Sequence, residues 1–144
     1  QSRMPEMPNY PELPQRAAHV AALQKSLWQG LSDAVPQLRW NGPPPGELRL
    51  PNNLHFSLAG VEGEAVLLRC DMKGLLIASG AACLGRSARL PAVLEAIGLD
   101  PAWGRGSLLM SLGKDNTEAE VVEVLRLFPA VVQTIREMSP TWRP

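Results

Sequence analysis

From about Gln15 to Leu31, Ala17, Val20, Leu23, Leu27, Trp28 and Leu31 recur at helical spacing and leave Arg16, Gln24 and Lys25 for solvent. That pattern predicts an amphipathic helix. Ahead of it, residues 1–14 hold too many prolines for a helix or a central strand and read as an extended or disordered arm. Leu38-Arg39-Trp40 is a candidate short strand, stopped by Asn41-Gly42 and Pro43-Pro44-Pro45-Gly46. Leu54-His55-Phe56-Ser57-Leu58 alternates apolar and polar side chains, the period of a strand with one buried face.

Val61-Glu62-Gly63-Glu64 turns the chain, Ala65 to Cys70 predicts a short apolar helix, and Asp71-Met72-Lys73-Gly74 ends it. Leu75-Leu76-Ile77-Ala78 is a compact buried-strand candidate. The small-residue run Ser79-Gly80-Ala81-Ala82-Cys83-Leu84-Gly85-Arg86-Ser87 has neither periodicity nor bulk and predicts a loop. Its few apolar contacts make the stretch from about Ala81 to Arg89 the expected most mobile non-terminal part. Leu90 to Ile97 predicts a helix closed by Gly98, and Ser107 to Leu112 a strand. Thr117-Glu118-Ala119-Glu120 is a capping box, so a helix begins there. Pro129 falls inside the apolar pattern that follows and predicts a kink or two abutting helices. The alternation of helices with short strands predicts an α+β domain over residues 15–144, a small mixed sheet with helices packed mainly on one face.

At 144 residues and 45% hydrophobic content the chain is long enough for one cored domain and too short for two ordinary ones. A net charge of zero with scattered arginines argues against nucleic acid as a partner. No apolar run reaches bilayer length, and Gln1 to Pro14 lack the character of a signal peptide. Two cysteines make no disulfide framework, so the cytoplasm is the expected compartment. Cys70, Cys83, His19 and His55 stand at none of the paired spacings that metal motifs use, so no metal site is expected. A first residue of Gln1 suggests processing or a piece of a longer reading frame.

Cys83 is the most suggestive single residue. Gly80 and Gly85 let its loop move, Ala81 and Ala82 leave its sulfur accessible, and Arg86 can favour the thiolate if the loop folds back. The competing reading is a small buried filler, the role also expected of Cys70 beside Val66, Leu67 and Leu68. His19 and His55 read as structural rather than as general bases. The dispersed Trp28, Trp40, Trp103 and Trp142 read as core or cap residues. Glu62 with Glu64 flank a turn and Glu118 with Glu120 cap a helix, which leaves little support for a general-acid pair.

Six segments in order resemble the C-terminal part of pyridoxal-phosphate-dependent cysteine desulfurases of the nitrogen-fixation and iron-sulfur type, within the class V aminotransferases. They are Pro51 to Leu58, Val61 to Glu64, Ala78 to Cys83, Ala96 to Leu99, Ser111 to Gly113 and Thr117 to Glu120. The resemblance runs from about Gln15 to Trp142 and implies the small domain of a fold-type I transferase. It places Cys83 at the nucleophile that takes sulfur from L-cysteine as a persulfide, leaving alanine, for iron-sulfur cluster assembly or other sulfur delivery. Ser79, Gly80, Ala81, Ala82, Gly85 and Arg86 form the loop around it. The implied partners are an upstream large domain, L-cysteine, a sulfur-acceptor or scaffold protein, and a second copy in a homodimer of the complete form.

Two departures shape the expectation. The family's cofactor lysine belongs to the upstream large domain, and Lys25, Lys73 and Lys114 do not match it, so no cofactor is expected on this chain alone and the isolated chain is expected to be inactive. Where the family reads Ser-Ile-Arg-Phe, with an arginine for the substrate carboxylate, this chain has Ser107-Leu108-Leu109-Met110. Leu109 leaves the substrate-binding residue unknown, with Arg105 and Arg86 near in sequence. The alternative reading is a degenerate, non-catalytic domain that serves as a binding or sulfur-relay module.

Overall fold

The computed structural model describes residues 10–80, 89–140 and 142–144. Helix α1 (Leu13–Ala34) is followed by strands β1 (Leu38–Trp40) and β2 (Asn53–Leu58), helix α2 (Gly63–Asp71) and the two-residue strand β3 (Ala78–Ser79). Short helices α3 (Ala92–Ala96) and α4 (Pro101–Gly104) then lead to β4 (Ser107–Ser111) and the long helix α5 (Glu118–Met138). The strands lie in the order β1-β2-β4-β3.

All three strand pairings are antiparallel, which corrects the expected mixed sheet. The reason is topological. The crossover through α2 sets β2 and β3 parallel to each other, but β4 enters between them and runs against both. The α+β expectation with helices on one face holds. Leu54, Phe56 and Leu58 of β2 and Leu108 and Met110 of β4 point into a core with Leu23, Leu27 and Leu31 of α1, Val66 and Cys70 of α2, and Val121, Phe128, Val131, Val132 and Ile135 of α5.

Four aromatic rings tie α1 through the sheet to α5. Trp28 stacks on Trp40 at 3.6 Å between centroids, Trp40 meets Phe56 edge-on at 5.4 Å, and Phe56 meets Phe128 edge-on at 5.7 Å. The two edge-on contacts have the T-shaped geometry that ring quadrupoles favour, while the tryptophan pair is stacked face to face. The loops are held by two buried guanidinium groups. Arg136 donates to the carbonyls of Ala59, Pro36 and Gln37 and lies 4.0 Å from the Trp142 ring centroid. Arg49 donates to the carbonyls of Pro43 and Asn41 and to Asn53 Oδ1, with its charge over Trp28.

Several elements differ in extent from the sequence reading. Helix α1 starts at Leu13 with Pro14 in its first turn, where a missing amide costs nothing. The residue 75–78 strand shrinks to Ala78–Ser79, since that is all that pairs with β4. Helix α4 was not anticipated, although Asp100 before Pro101 caps it by accepting from the Ala102 amide. The capping box is present as expected, with Thr117 Oγ1 accepting from the Glu120 amide and Glu120 accepting from the Thr117 amide. Helix α5 runs continuously through Pro129, which corrects the alternative of two abutting helices. Its apolar face is buried on both sides of the proline, at Phe128, Val131 and Val132, and that burial outweighs one lost backbone bond.

Cys70 is 1% exposed within the α2 face of the core, and burial pushes its thiol up to about 11. Cys70→Ser places a hydroxyl there without a partner. It should lower unfolding stability by about 1–3 kcal/mol, measured by urea denaturation at pH 7.

Candidate functional site

The face of the sheet away from the helices carries the other half of the strand alternation. Pairing sets Arg39 of β1 against Ser57 of β2, Ser57 against Ser107 of β4, and His55 against Leu109, which in turn meets Ala78 of β3. Ser57 and Ser107 are fully buried and Asn41 is 6% exposed. A buried polar group needs a hydrogen-bond partner, and here the partners are one another.

The bonds form one connected network. The Asn41 amide Nδ2 donates to His55 Nδ1 at 2.9 Å and to Ser57 Oγ at 2.9 Å. Ser57 Oγ lies 2.9 Å from Ser107 Oγ. The Gly80 amide donates to the Ser107 carbonyl at 2.9 Å, and the His55 ring packs against Gly80. A nitrogen that accepts from Asn41 carries no proton, so neutral His55 has its hydrogen on Nε2, facing Gly80. A Cβ built on Gly80 would lie 2.6 Å from His55 Nε2 and 2.8 Å from the Ser107 Cβ, so only glycine fits under the ring.

Electrostatics keeps the ring neutral. Desolvation by burial lowers the His55 pKa most, the nearby Gly80 backbone opposes it, and the Arg49 charge lowers it further. Asn41 Oδ1 is buried without a hydrogen-bond partner. Protonating Nδ1 sets two donors face to face unless the amide turns over and presents that oxygen.

The structure brings together only part of what the sequence singled out. Ser79 and Gly80 stand at the end of β3. Ala81, Ala82, Cys83, Gly85 and Arg86, with the expected mobility of their loop, lie outside the described residues. Leu109 sits half-buried in the centre of the outer face between His55 and Ala78. Arg105 is exposed and pairs with Glu62 at 3.3 Å. His19 lies apart, its Nε2 2.8 Å from the Asn116 carbonyl, where it joins α1 to the turn before α5.

Lys25, Lys73 and Lys114 are all exposed, on α1, in the turn after α2 and in the turn after β4, and Lys114 pairs with Asp115. Among the described residues no cluster of three or more His, Cys, Asp or Glu side chains could hold a metal, and no helix is long and apolar enough to cross a membrane. The sequence reading missed Asn41 and the joint role of Ser57 with Ser107. The period-two pattern does put His55 and Ser57 on one face, but the strand register that adds Ser107 and Leu109 is not written in it.

No family model matches the chain. The chain is 40% identical over 130 residues to the cysteine desulfurase IscS of Clostridium botulinum strain Hall, a match covering 90% of this chain and 33% of that protein. It thus spans about a third of the length of the curated relatives it matches, in their C-terminal portion. A solved NifS-like protein superposes with a TM-score of 0.71 at 26% identity, over 86% of this chain and 30% of that one. A NifS-like protein from Rickettsia africae gives a TM-score of 0.72 at 19% identity, over 85% and 31%, and shows the same fold.

The neutral His55 has a stability consequence. An unfolded histidine protonates near pH 6.5 and the native one only at lower pH, so this group stabilises the fold above about pH 6.5 and that contribution is lost as pH falls through the native pKa. Urea midpoints from pH 8 to 4.5 should decline more steeply below pH 6.5 in the wild type than in His55→Gln. Ring titration by NMR should place the native His55 pKa below 6.5.

Proposed function

The chain is homologous to the C-terminal portion of cysteine desulfurases of the IscS and NifS kind, and from that premise we propose that it carries the sulfur-accepting cysteine of such an enzyme, Cys83. The observation that supports this most is the 40% identity over nine-tenths of the chain, which includes the stretch from Ala78 to Cys83. In the proposed reaction the Cys83 sulfur bonds to the sulfur of L-cysteine as the substrate's carbon-sulfur bond breaks. The carbon keeps the electron pair and takes a proton to become alanine, and Cys83 is left as a persulfide for an acceptor or iron-sulfur scaffold protein.

Pyridoxal phosphate supplies the electron sink for such chemistry, and none of the three lysines of this chain matches the family's cofactor lysine. The cofactor and its lysine belong, in this reading, to an upstream large domain of the complete homodimeric enzyme, and the 144-residue chain alone is inactive. The chain's own contribution is the outer face: β3 ends at Ser79, and Gly80, three residues before Cys83, bonds Ser107 and packs against His55.

Leu109 favours a second reading, a sulfur-relay module that does not itself bind the amino acid. An isobutyl group at the centre of the outer face offers no charge-assisted bond to a carboxylate.

Two measurements on the complete enzyme separate the readings. Cys83→Ser should abolish persulfide formation from L-cysteine while leaving the unfolding midpoint unchanged, whereas Cys70→Ser should leave the chemistry intact; full persulfide yield from the Cys83 variant overturns the assignment. Leu109→Arg should raise kcat/KM for free cysteine by about ten- to a hundredfold, the 1.5–3 kcal/mol of a charge-assisted bond. Unchanged kinetics would show that another group already holds the carboxylate.

A further inference from the structure

A cleft of about 430 Å³, the size of a small-molecule site, is lined by α2, by the C-terminal end of α5 and by the turn from α4 into β4. Glu62, Ala65 and Arg69 stand at spacings of three and four, so one face of α2 brings a carboxylate, a methyl group and a guanidinium to it. Arg105 enters from the turn, its backbone fixed by the Gly63 amide, which donates to its carbonyl at 2.8 Å. Val61, Ala102 and Ile135 make the rest of the lining apolar. The rim is shaped in advance: Trp142 packs so closely on Gly60 that a Cβ there would strike the ring, and the Arg136 guanidinium holds that ring at 4.0 Å from its centroid. The two cations in the cleft differ from the guanidinium groups of Arg49 and Arg136, whose donors are taken by backbone carbonyls. Arg69 is half-buried, and its only bond among the described residues is to Met138 Sδ at 3.7 Å, a weak acceptor. Arg105 has one bond, at 3.3 Å to Glu62, between two largely exposed side chains, and such a pair is worth little in water. Two positive charges against one negative leave the lining in want of an anion.

We propose that this cleft binds a small organic carboxylate with a short apolar body, held by Arg69, with Arg105 drawn from Glu62 as the second cation. A guanidinium fork meets the two oxygens of a carboxylate in parallel bonds. The single net positive charge of the lining suits a monoanion, because Glu62 repels a second negative charge. The apolar lining takes the hydrocarbon that a bare inorganic anion lacks. The site goes beyond the Cys83 assignment and does not depend on it, since its residues lie on the helices and on the turn before β4 and no covalent step is involved.

The test titrates the 144-residue chain with hexanoate at pH 7 and follows backbone amides and arginine Nε–H groups by nitrogen–proton NMR. Saturable shifts are expected at Ala65, Arg69, Ala102 and Arg105, with a dissociation constant in the millimolar range. Both 1-hexanol and inorganic phosphate should bind at least about fivefold more weakly. Arg69→Gln keeps a polar side chain and loses the charge, and should weaken hexanoate binding by about tenfold. Glu62→Gln removes the competitor for Arg105 and should tighten it by about twofold or more. Equal affinity for hexanol would show that the charge is not used, and equal affinity for phosphate that the apolar lining is not; either result overturns the proposal. Unchanged binding in Arg69→Gln, looser binding in Glu62→Gln, or scattered shifts that do not saturate would overturn it as well. The comparison of ligands uses the wild-type chain, so it decides the question even where a variant fails to fold.

Discussion

The insertion of β4 between β2 and β3 is the constraint from which the rest of the architecture follows. A strand with a neighbour on each side must satisfy two ladders and present a usable side chain to each face of the sheet. Leu108 and Met110 go to the core and Ser107 and Leu109 to the outer face. The strand can only begin where its backbone passes close to Leu58, whose amide donates to the Gly106 carbonyl at 3.0 Å; a Cβ at 106 would lie inside contact distance of the Leu58 carbonyl. The same insertion carries β3 to the sheet edge.

Two buried arginines do for the loops what hydrogen-bond ladders do for the strands. Arg136 collects carbonyls from residues 36, 37 and 59, which belong to two connections that make few regular contacts of their own. Arg49 does the same for the proline-rich connection between β1 and β2. In both cases burial lowers the pKa, yet a guanidinium keeps its charge, so five donors in a fixed plane serve backbone acceptors that have no strand to join. Arg49 also links stability to the site, because the carbonyl it holds belongs to Asn41.

The parts of this fold that were legible in the sequence are those in which a local rule and the tertiary environment agree. The alternation of residues 54–58 gives β2, and Thr117 with Glu120 marks the start of α5, because each depends on neighbours within a few residues. Pro129 misleads, since the local rule loses to burial of Phe128 and Val132 on either side of it. The residue 75–78 run reads as a full strand because apolar content mimics one, while its pairing is limited by how far β4 extends. The site was legible only in fragments. His55 looked structural on its own; what the chain does not announce is that Asn41, fourteen residues earlier, bonds its ring and that Gly80, twenty-five residues later, packs against it. Register and loop return bring them together, and neither has a sequence period.

The composition of the outer face limits what it can recognise unaided. Among the described residues its centre is Leu109 beside a neutral imidazole and two serines already committed to each other, which offer dipoles and no charge. A carboxylate brought there would shed its water without gaining a cation, and desolvation of an anion is costly unless it is paired. Arg49 does not meet that need, because its donors are taken by two carbonyls and Asn53. Arg39 shares the face but sits on β1, two strands from Leu109, or roughly 10 Å at ordinary strand spacing. An amino-acid substrate lying over β4 therefore needs its carboxylate held by a group beyond this face. The network of Asn41, His55, Ser57 and Ser107 does a different task, tying the end of β1 to β2 and β4 with neutral hydrogen bonds in which each buried polar group satisfies another.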